Sequence, residues 1–232
     1  MKKINKINIQ SMNNFYNQPI ILQWIKYILL LIIGFLPALA VIEIGYSNSL
    51  YYLLFIFYVP IAQFSFTPFY KLVGVYSYYS PMLLGYMAND EQIDLHSGAS
   101  FDYLFVMRKY KTGIEFRNRL LLYYLEGILK IIQLIENKSI PKSVNIVGTS
   151  YFINERTINK MGFQSVKPSF FYRLNLFINI IDLIWMNSLS QGKFSIPKLW
   201  NVKKATITGA KLIENKNFIE NAYVNLKSRM MK

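Results

Sequence analysis

The stretch YILLLIIGFLPALAVI, residues 27–42, runs without a charge from Lys26 to Glu43, and IGYSNSLYYLLFIFYVPIAQFSFTPFY, residues 44–70, continues for 27 residues with none. A helix needs about 20 apolar residues to cross the hydrocarbon of a bilayer. The second stretch meets that length. The first meets it when extended back to residue 19, with Lys26 reaching out of the apolar layer along its aliphatic stem. Two crossings over residues 19–71, an apolar helical hairpin, are the simplest reading. Two others stay open: a re-entrant hairpin broken at Pro37, Pro60 and Pro68, and a helical pair buried in a globular core.

The flanks set an orientation. Lys2, Lys3, Lys6 and Lys26 precede the first stretch, Glu43 and the polar residues 47–49 lie between the two, and Lys71 follows the second. Basic residues stay on the cytoplasmic side, so both ends of the hairpin, and the domain beyond it, are expected there. Trp24, Tyr46, Tyr51, Tyr52 and Tyr70 fall where interfacial aromatics belong. Residues 1–18, MKKINKINIQSMNNFYNQ, resemble a mobile basic leader. A signal peptide is disfavoured, because the apolar stretch is longer than a signal core and no small-residue cleavage site with a polar mature start follows it.

Composition agrees with a lipid partner. The chain of 232 residues is 53% hydrophobic and 16% aromatic, and its 26 Lys and Arg against 12 Asp and Glu give a formal charge of +14. Residues 1–89 carry +4 of this and residues 90–232 carry +10, so the excess is spread along the chain. That spread favours attraction to an anionic membrane surface over one nucleic-acid patch, and no nucleic-acid partner is expected. Cysteine is absent, which excludes disulfides, thiolate catalysis and Cys-ligated metal; a single histidine, His96, disfavours a histidine cage.

Past the hairpin, residues 72–232 read as one mixed α/β (or α+β) domain. Residues 72–89, with alternating Val, Tyr and Ser around Pro81, suggest strand and turn. The apolar run FDYLFVM, residues 101–107, suits a buried strand. Residues 116–137 form the clearest helix: Arg119, Glu126, Lys130, Gln133 and Asn137 recur at helical spacing and leave a broad apolar face, and Pro141 stops it. VNIVG, residues 144–148, reads as a second buried strand, and residues 154–161 as a short helix capped by Asn154 and closed by Gly162. Residues 170–189 are apolar except for Asn175, Asn179, Asp182 and Asn187 on one side of a helix, a shape that lies on a membrane or caps a core. Residues 210–231 carry one more helical rhythm.

The segment NIVGTSYFINERTINKMGF, residues 145–163, places a strand before an Asn and a short helix ending in Gly-Phe, and in this it resembles the C-terminal half of the GNAT acyl-CoA N-acyltransferase fold. The resemblance extends over residues 101–163. It implies acyl-CoA as cofactor, with Asn154 and its helix holding the donor, and it makes residues 101–107 the fourth strand and residues 116–137 the third helix. RKYKTGIE, residues 108–115, then stands where the family binds pyrophosphate, with Lys109, Lys111 and Gly113 as its contacts. A glycine turn at a helix start aims free N–H groups and the positive dipole end at a phosphate. The loop has one glycine where the family has two, and the tyrosine that serves the family as general acid has no counterpart here.

A second polar cluster, DLHSGASFDY over residues 94–103, gathers His96, Ser97, Ser100 and two carboxylates around Gly98. Imidazole is the side chain that titrates closest to neutrality, so His96 is the candidate proton carrier. An ordinary turn uses the same residue types. Two functions are compatible with the whole: a membrane-associated acyltransferase acting on a small-molecule or lipid-linked acceptor, and a non-catalytic membrane scaffold.

Overall fold

The computed structural model describes residues 15–150, 155–199 and 202–231. Helix α1, Ile20–Ser47, starts behind Pro19 and carries Pro37 within it. A 3-10 segment, Ser49–Leu54, opened by the Asn48 side chain accepting from the Leu50 N–H, turns the chain into α2, Phe55–Leu72. The two rods lie side by side. Gly34 makes this possible, since a Cβ there would stand 2.6 Å from the Cβ of Ser65. Small residues at a helix contact let two backbones approach.

Both rods are long and apolar enough to cross a membrane, and only 22% and 11% of their most apolar windows are buried. Ile21, Ile33, Leu36, Leu39 and Phe57 are among the exposed side chains. A core helix of a globular protein would be covered by its neighbours; these rods are not. The second half of α2 nevertheless packs on the domain beyond it. Phe15, Tyr16, Tyr27 and Phe64 close around Phe101, which is fully buried. Of the expected leader, residues 15–18 are described, and Phe15 and Tyr16 belong to this aromatic cluster; residues 1–14 lie outside the described residues.

The sheet, six strands among the described residues, has the order β1-β2-β3-β4-β6-β5. A meander comes first: β1 (Tyr76–Ser80), β2 (Leu83–Tyr86) and β3 (Gln92–Ser97), all antiparallel. The β1–β2 turn is held by the Ser80 hydroxyl accepting from the Leu83 N–H, and the next by the Asn89 carboxamide oxygen accepting from the N–H groups of Glu91 and Gln92. The chain then crosses through α3 (Ser100–Asp102), a π-helical turn (Tyr103–Met107) and the long α4 (Ile114–Glu136) to β4 (Asn145–Ser150), which lies parallel to β3. Helix α5 (Glu155–Lys160) and β5 (Gln164–Val166) come next, then α6 (Phe170–Ile178) and α7 (Ile180–Gln191). Strand β6 (Lys203–Thr208) returns between β4 and β5, antiparallel to both, and α8 (Gly209–Glu214) and α9 (Lys216–Met230) end the described chain.

The core lies between the sheet and α4, whose Phe116, Leu120, Tyr123, Ile131, Ile132 and Ile135 are buried. Each such side chain contributes about 1.5–3 kcal/mol relative to exposure. Gly127 lets α4 sit close to β2, because a Cβ there would meet the Leu83 side chain at 2.7 Å.

The expectations of a long helix near 116–137 and a strand near 144–148 match α4 and β4. Residues 101–107 are helical, not a strand. Phe101, Tyr103, Val106 and Met107 are at most 3% exposed while Leu104 and Phe105 face outward, and because the outward pair is apolar too, the sequence shows no period to distinguish the two forms. The Asp102 carboxylate tips the balance by accepting the Ala99 N–H at the first turn. The strand before the crossover is instead β3, with Ile93 and Leu95 inward. The single helix expected over 170–189 is two, divided at Asn179, whose side chain donates back to the Asn175 carbonyl.

Candidate functional site

Strands β3 and β4 pair in parallel from Gln92 and Asn145 as far as Leu95 and Gly148. Beyond that point they part. β3 runs on to Ser97 held only by β2, and β4 runs on to Ser150 held only by β6. Parting strands leave a notch at their carboxyl ends, the place where open α/β sheets bind ligands. A cavity of about 640 Å³ occupies it. Its floor is Leu95 to Ala99 and Gly148, one wall is Tyr124 and Ile128 of α4, and another is Met161 and Phe163 behind α5. The remaining wall comes from Tyr172, Asn175 and Asn179 of α6, Asp182 and Met186 of α7, and Gln63 of α2. The volume suits a small organic ligand.

The polar groups of the cavity are few. His96 is one, and Asp94, outside the lining, projects from the same face of β3 two residues earlier, with its Oδ2 3.6 Å from Nε2 of the imidazole. The Tyr124 hydroxyl donates to Ser97 Oγ at 2.6 Å. Burial pushes the Tyr124 phenol up to about 12, against its hydrogen bonds with Ser97 and Tyr103. Asp182 is 3% exposed, and burial pushes its carboxyl up to about 6 although the Ser100 hydroxyl donates to it from 3.4 Å. Gln63 donates to the Asn179 carboxamide oxygen, joining α2 to the start of α7. Burial, and next to it the charge of Asp94, pushes the Tyr172 phenol up.

Beneath the floor lies a second buried carboxyl. Oδ2 of Asp102 accepts from the Tyr78 hydroxyl at 2.8 Å and from the Ala99 N–H at 2.9 Å, whereas Oδ1 is buried without a partner. Burial pushes this carboxyl up to about 7, against those two hydrogen bonds and the positive charge of Lys71.

The residues singled out by the sequence separate into two groups. His96 lines the cavity. Lys109, Lys111 and Gly113 do not; they lie past the π-helical turn, at the entry to α4. Gly113 takes a φ of +93° and its N–H donates to the Leu189 carbonyl at 2.8 Å, so that N–H is already used. Asn154 lies outside the described residues. Near the notch, the Ala99 N–H is taken by Asp102 and the Gly98 N–H by the Met82 carbonyl. The side of β3 that faces β4 has no strand partner past Leu95. The loop of residues 108–113 does not present a phosphate cradle to this cavity. No group of three or more possible metal ligands of the His, Cys, Asp or Glu type exists among the described residues.

Tyr124, Asp182, Asn179 and Gln63 are cavity residues that the sequence did not mark. A signal exists for two of them, since Asn179 and Asp182 fall on the polar side of their segment; what the sequence does not show is that this side faces inward. Compared with protein-family models, with curated proteins and with solved structures, the chain matches none.

Proposed function

We propose that this protein is an acyltransferase held in a bilayer by its α1–α2 hairpin, passing an acyl group from acyl-CoA to an acceptor at the membrane surface. The observation that carries the reading is the notch: one parallel pair, β3 and β4, joined through a crossover helix, parts after Leu95 and Gly148 and leaves a cavity between the separated ends. The sheet order supports the GNAT resemblance, with β3, α4, β4, α5, β5 and β6 in the places of the family's later elements. The correction at residues 101–107 moves the family's fourth strand to β3 and leaves the reading of α4 and β4 in place.

In this reading the β3 edge orients the amide-bearing arm of the donor, and the thioester supplies the activated acyl group. His96 takes the proton from the acceptor's amine or hydroxyl as that group attacks the thioester carbonyl, Asp94 stabilises the imidazolium that results, and the C–S bond then breaks, with CoA leaving as the thiol after its sulfur takes that proton. Two lysines support an orientation. Lys26 reaches toward the Phe15 ring and Lys71 stands 3.3 Å from the Tyr16 ring centroid, so both lie at the domain end of the hairpin, which supports a cytoplasmic domain.

The alternative, a non-catalytic membrane scaffold, draws support from the loop of residues 108–113, whose Gly113 N–H is already bonded. Calorimetry and intact-mass analysis of the full chain in lipid nanodiscs, with a panel of acyl-CoA donors and amine or hydroxyl acceptors, separates the two. Donor binding with transfer supports the enzyme; neither binding nor transfer discards it. Exchanging Lys109 and Lys111 for Glu tests the loop, since unaltered donor affinity removes it from the site.

A further inference from the structure

Helix α6 buries Leu176 and leaves most of its other apolar side chains uncovered. Phe170, Phe171, Leu174 and Phe177 form one stripe at helical spacing, and all are exposed, Phe171 to 78% and Phe177 to 60%. The rest of the helix, with Tyr172, Asn175, the buried Leu176 and Ile178, lines the cavity together with the neighbouring Asn179. In water such a helix would turn its aromatic stripe inward. We infer that α6 lies in the plane of the membrane interface, its aromatic stripe among the lipid acyl chains and its polar side forming the lipid-side wall of the cavity. The inference rests on the hairpin being in a bilayer and is independent of the acyl-transfer chemistry.

Three observations favour lipid over a protein partner. The first is continuity: the Gln63–Asn179 hydrogen bond joins the end of α6 to α2, whose outer side chains belong to the exposed apolar surface of the hairpin. The second is charge, because Lys167 and Arg173 flank the stripe and suit anionic headgroups. The third is depth. From Ser49 to Gln63 the rod is about 20–25 Å long, short of the hydrocarbon thickness of about 30 Å. Interfacial helices sink about 5–10 Å into the headgroup and acyl boundary, which supplies the missing length.

The absence of cysteine allows a direct test. Phe171→Cys and Phe177→Cys, with Ile33→Cys as a hairpin reference and Lys138→Cys as a solvent reference, are each labelled with an environment-sensitive fluorophore in the full chain. The chain is reconstituted into phosphatidylcholine and phosphatidylglycerol vesicles with and without shallow nitroxide-labelled lipid. Blue-shifted emission and loss of intensity to the nitroxide at 171 and 177, as at 33 and unlike 138, are expected. Quenching at 33 with water-like emission at 171 and 177 overturns the inference and leaves the hairpin in place, whereas water-like emission at all three overturns both. A blue shift without lipid quenching points to a protein partner or a second copy, and also overturns it.

Discussion

Replacing Asp102 by Asn is expected to remove a pH dependence from the stability of the domain. The carboxyl is 1% exposed, and burial raises its pKa to about 7, against about 3.9 in an unfolded chain. A group whose folded pKa lies above its unfolded one stabilises the fold fully below the unfolded value, and the contribution is lost as pH rises through the folded value. From about pH 5 to about pH 8 the loss is about two units' worth, or about 3 kcal/mol at about 1.4 kcal/mol per unit. For a chain of this size that corresponds to about 5–10 °C in Tm. Asparagine copies the protonated acid: its oxygen still accepts from Tyr78 and Ala99, and its amide stands where the unpartnered Oδ1 lies. Thermal unfolding of the full chain in detergent, followed by circular dichroism, should show Tm falling with pH by that margin more in the native chain than in D102N. Titration of Asp182 acts in the same direction in both chains and cancels in the comparison. Equal slopes would refute the assignment of a neutral carboxyl at this position.

Under the acyl-transfer reading, His96→Ala should lower kcat by about 10²–10⁴-fold with little change in KM, since a proton carrier acts on the chemical step; steady-state kinetics decide this. Gly127→Val should cost about 1–3 kcal/mol in denaturant unfolding, because the new side chain meets Leu83 where a Cβ alone already stands at 2.7 Å. A fragment beginning at Val73 loses Tyr16, Tyr27 and Phe64 from around the fully buried Phe101, and should bind a hydrophobic dye strongly in place of folding into a rigid domain.

The hairpin and α4 are legible because each carries a signal that survives its surroundings, a long run without charge in the one and polar positions at helical spacing with a proline stop in the other; β4 is legible as a short β-branched run, VNIVG, behind that stop. β3 is hidden. QIDLHS alternates for only six residues, and the polar cluster around His96 reads as a turn when its inward Ile93 and Leu95 are not known to be covered. Its neighbour FDYLFVM draws the strand assignment, since its outward face, Leu104 and Phe105, is as apolar as its buried one and reveals no period. β6 shows how weak such signals become, for KKATIT owes its place to Ala205 and Ile207 packing beneath it and not to any pattern visible alone. The cavity is legible at one residue. His96 stands out by chemistry, but Tyr124, Asp182 and Gln63 come together across more than one hundred residues of sequence, and only the parting of β3 and β4 gives them a common space.

That convergence couples anchoring to the site. Gln63 sits one helical turn or less from Phe64, Ser65 and Thr67, so the residue that lines the cavity belongs to the turn that meets Gly34 of α1 and Phe101 of the domain. A shift of α2 along α1 therefore moves a cavity wall directly, and the Gln63–Asn179 bond carries the same displacement to α6 and α7. Asp182 and Ser100 lie on the next contact inward, and Asp102 follows on the α3 turn. A soluble domain tethered by a flexible linker would have none of these contacts. Under the membrane reading, the seat of the hairpin in the bilayer and the cavity wall at Gln63 are joined by one packed set of side chains, so a displacement of α2 is felt at that wall and at β1, which α2 meets through Tyr70 against Tyr76.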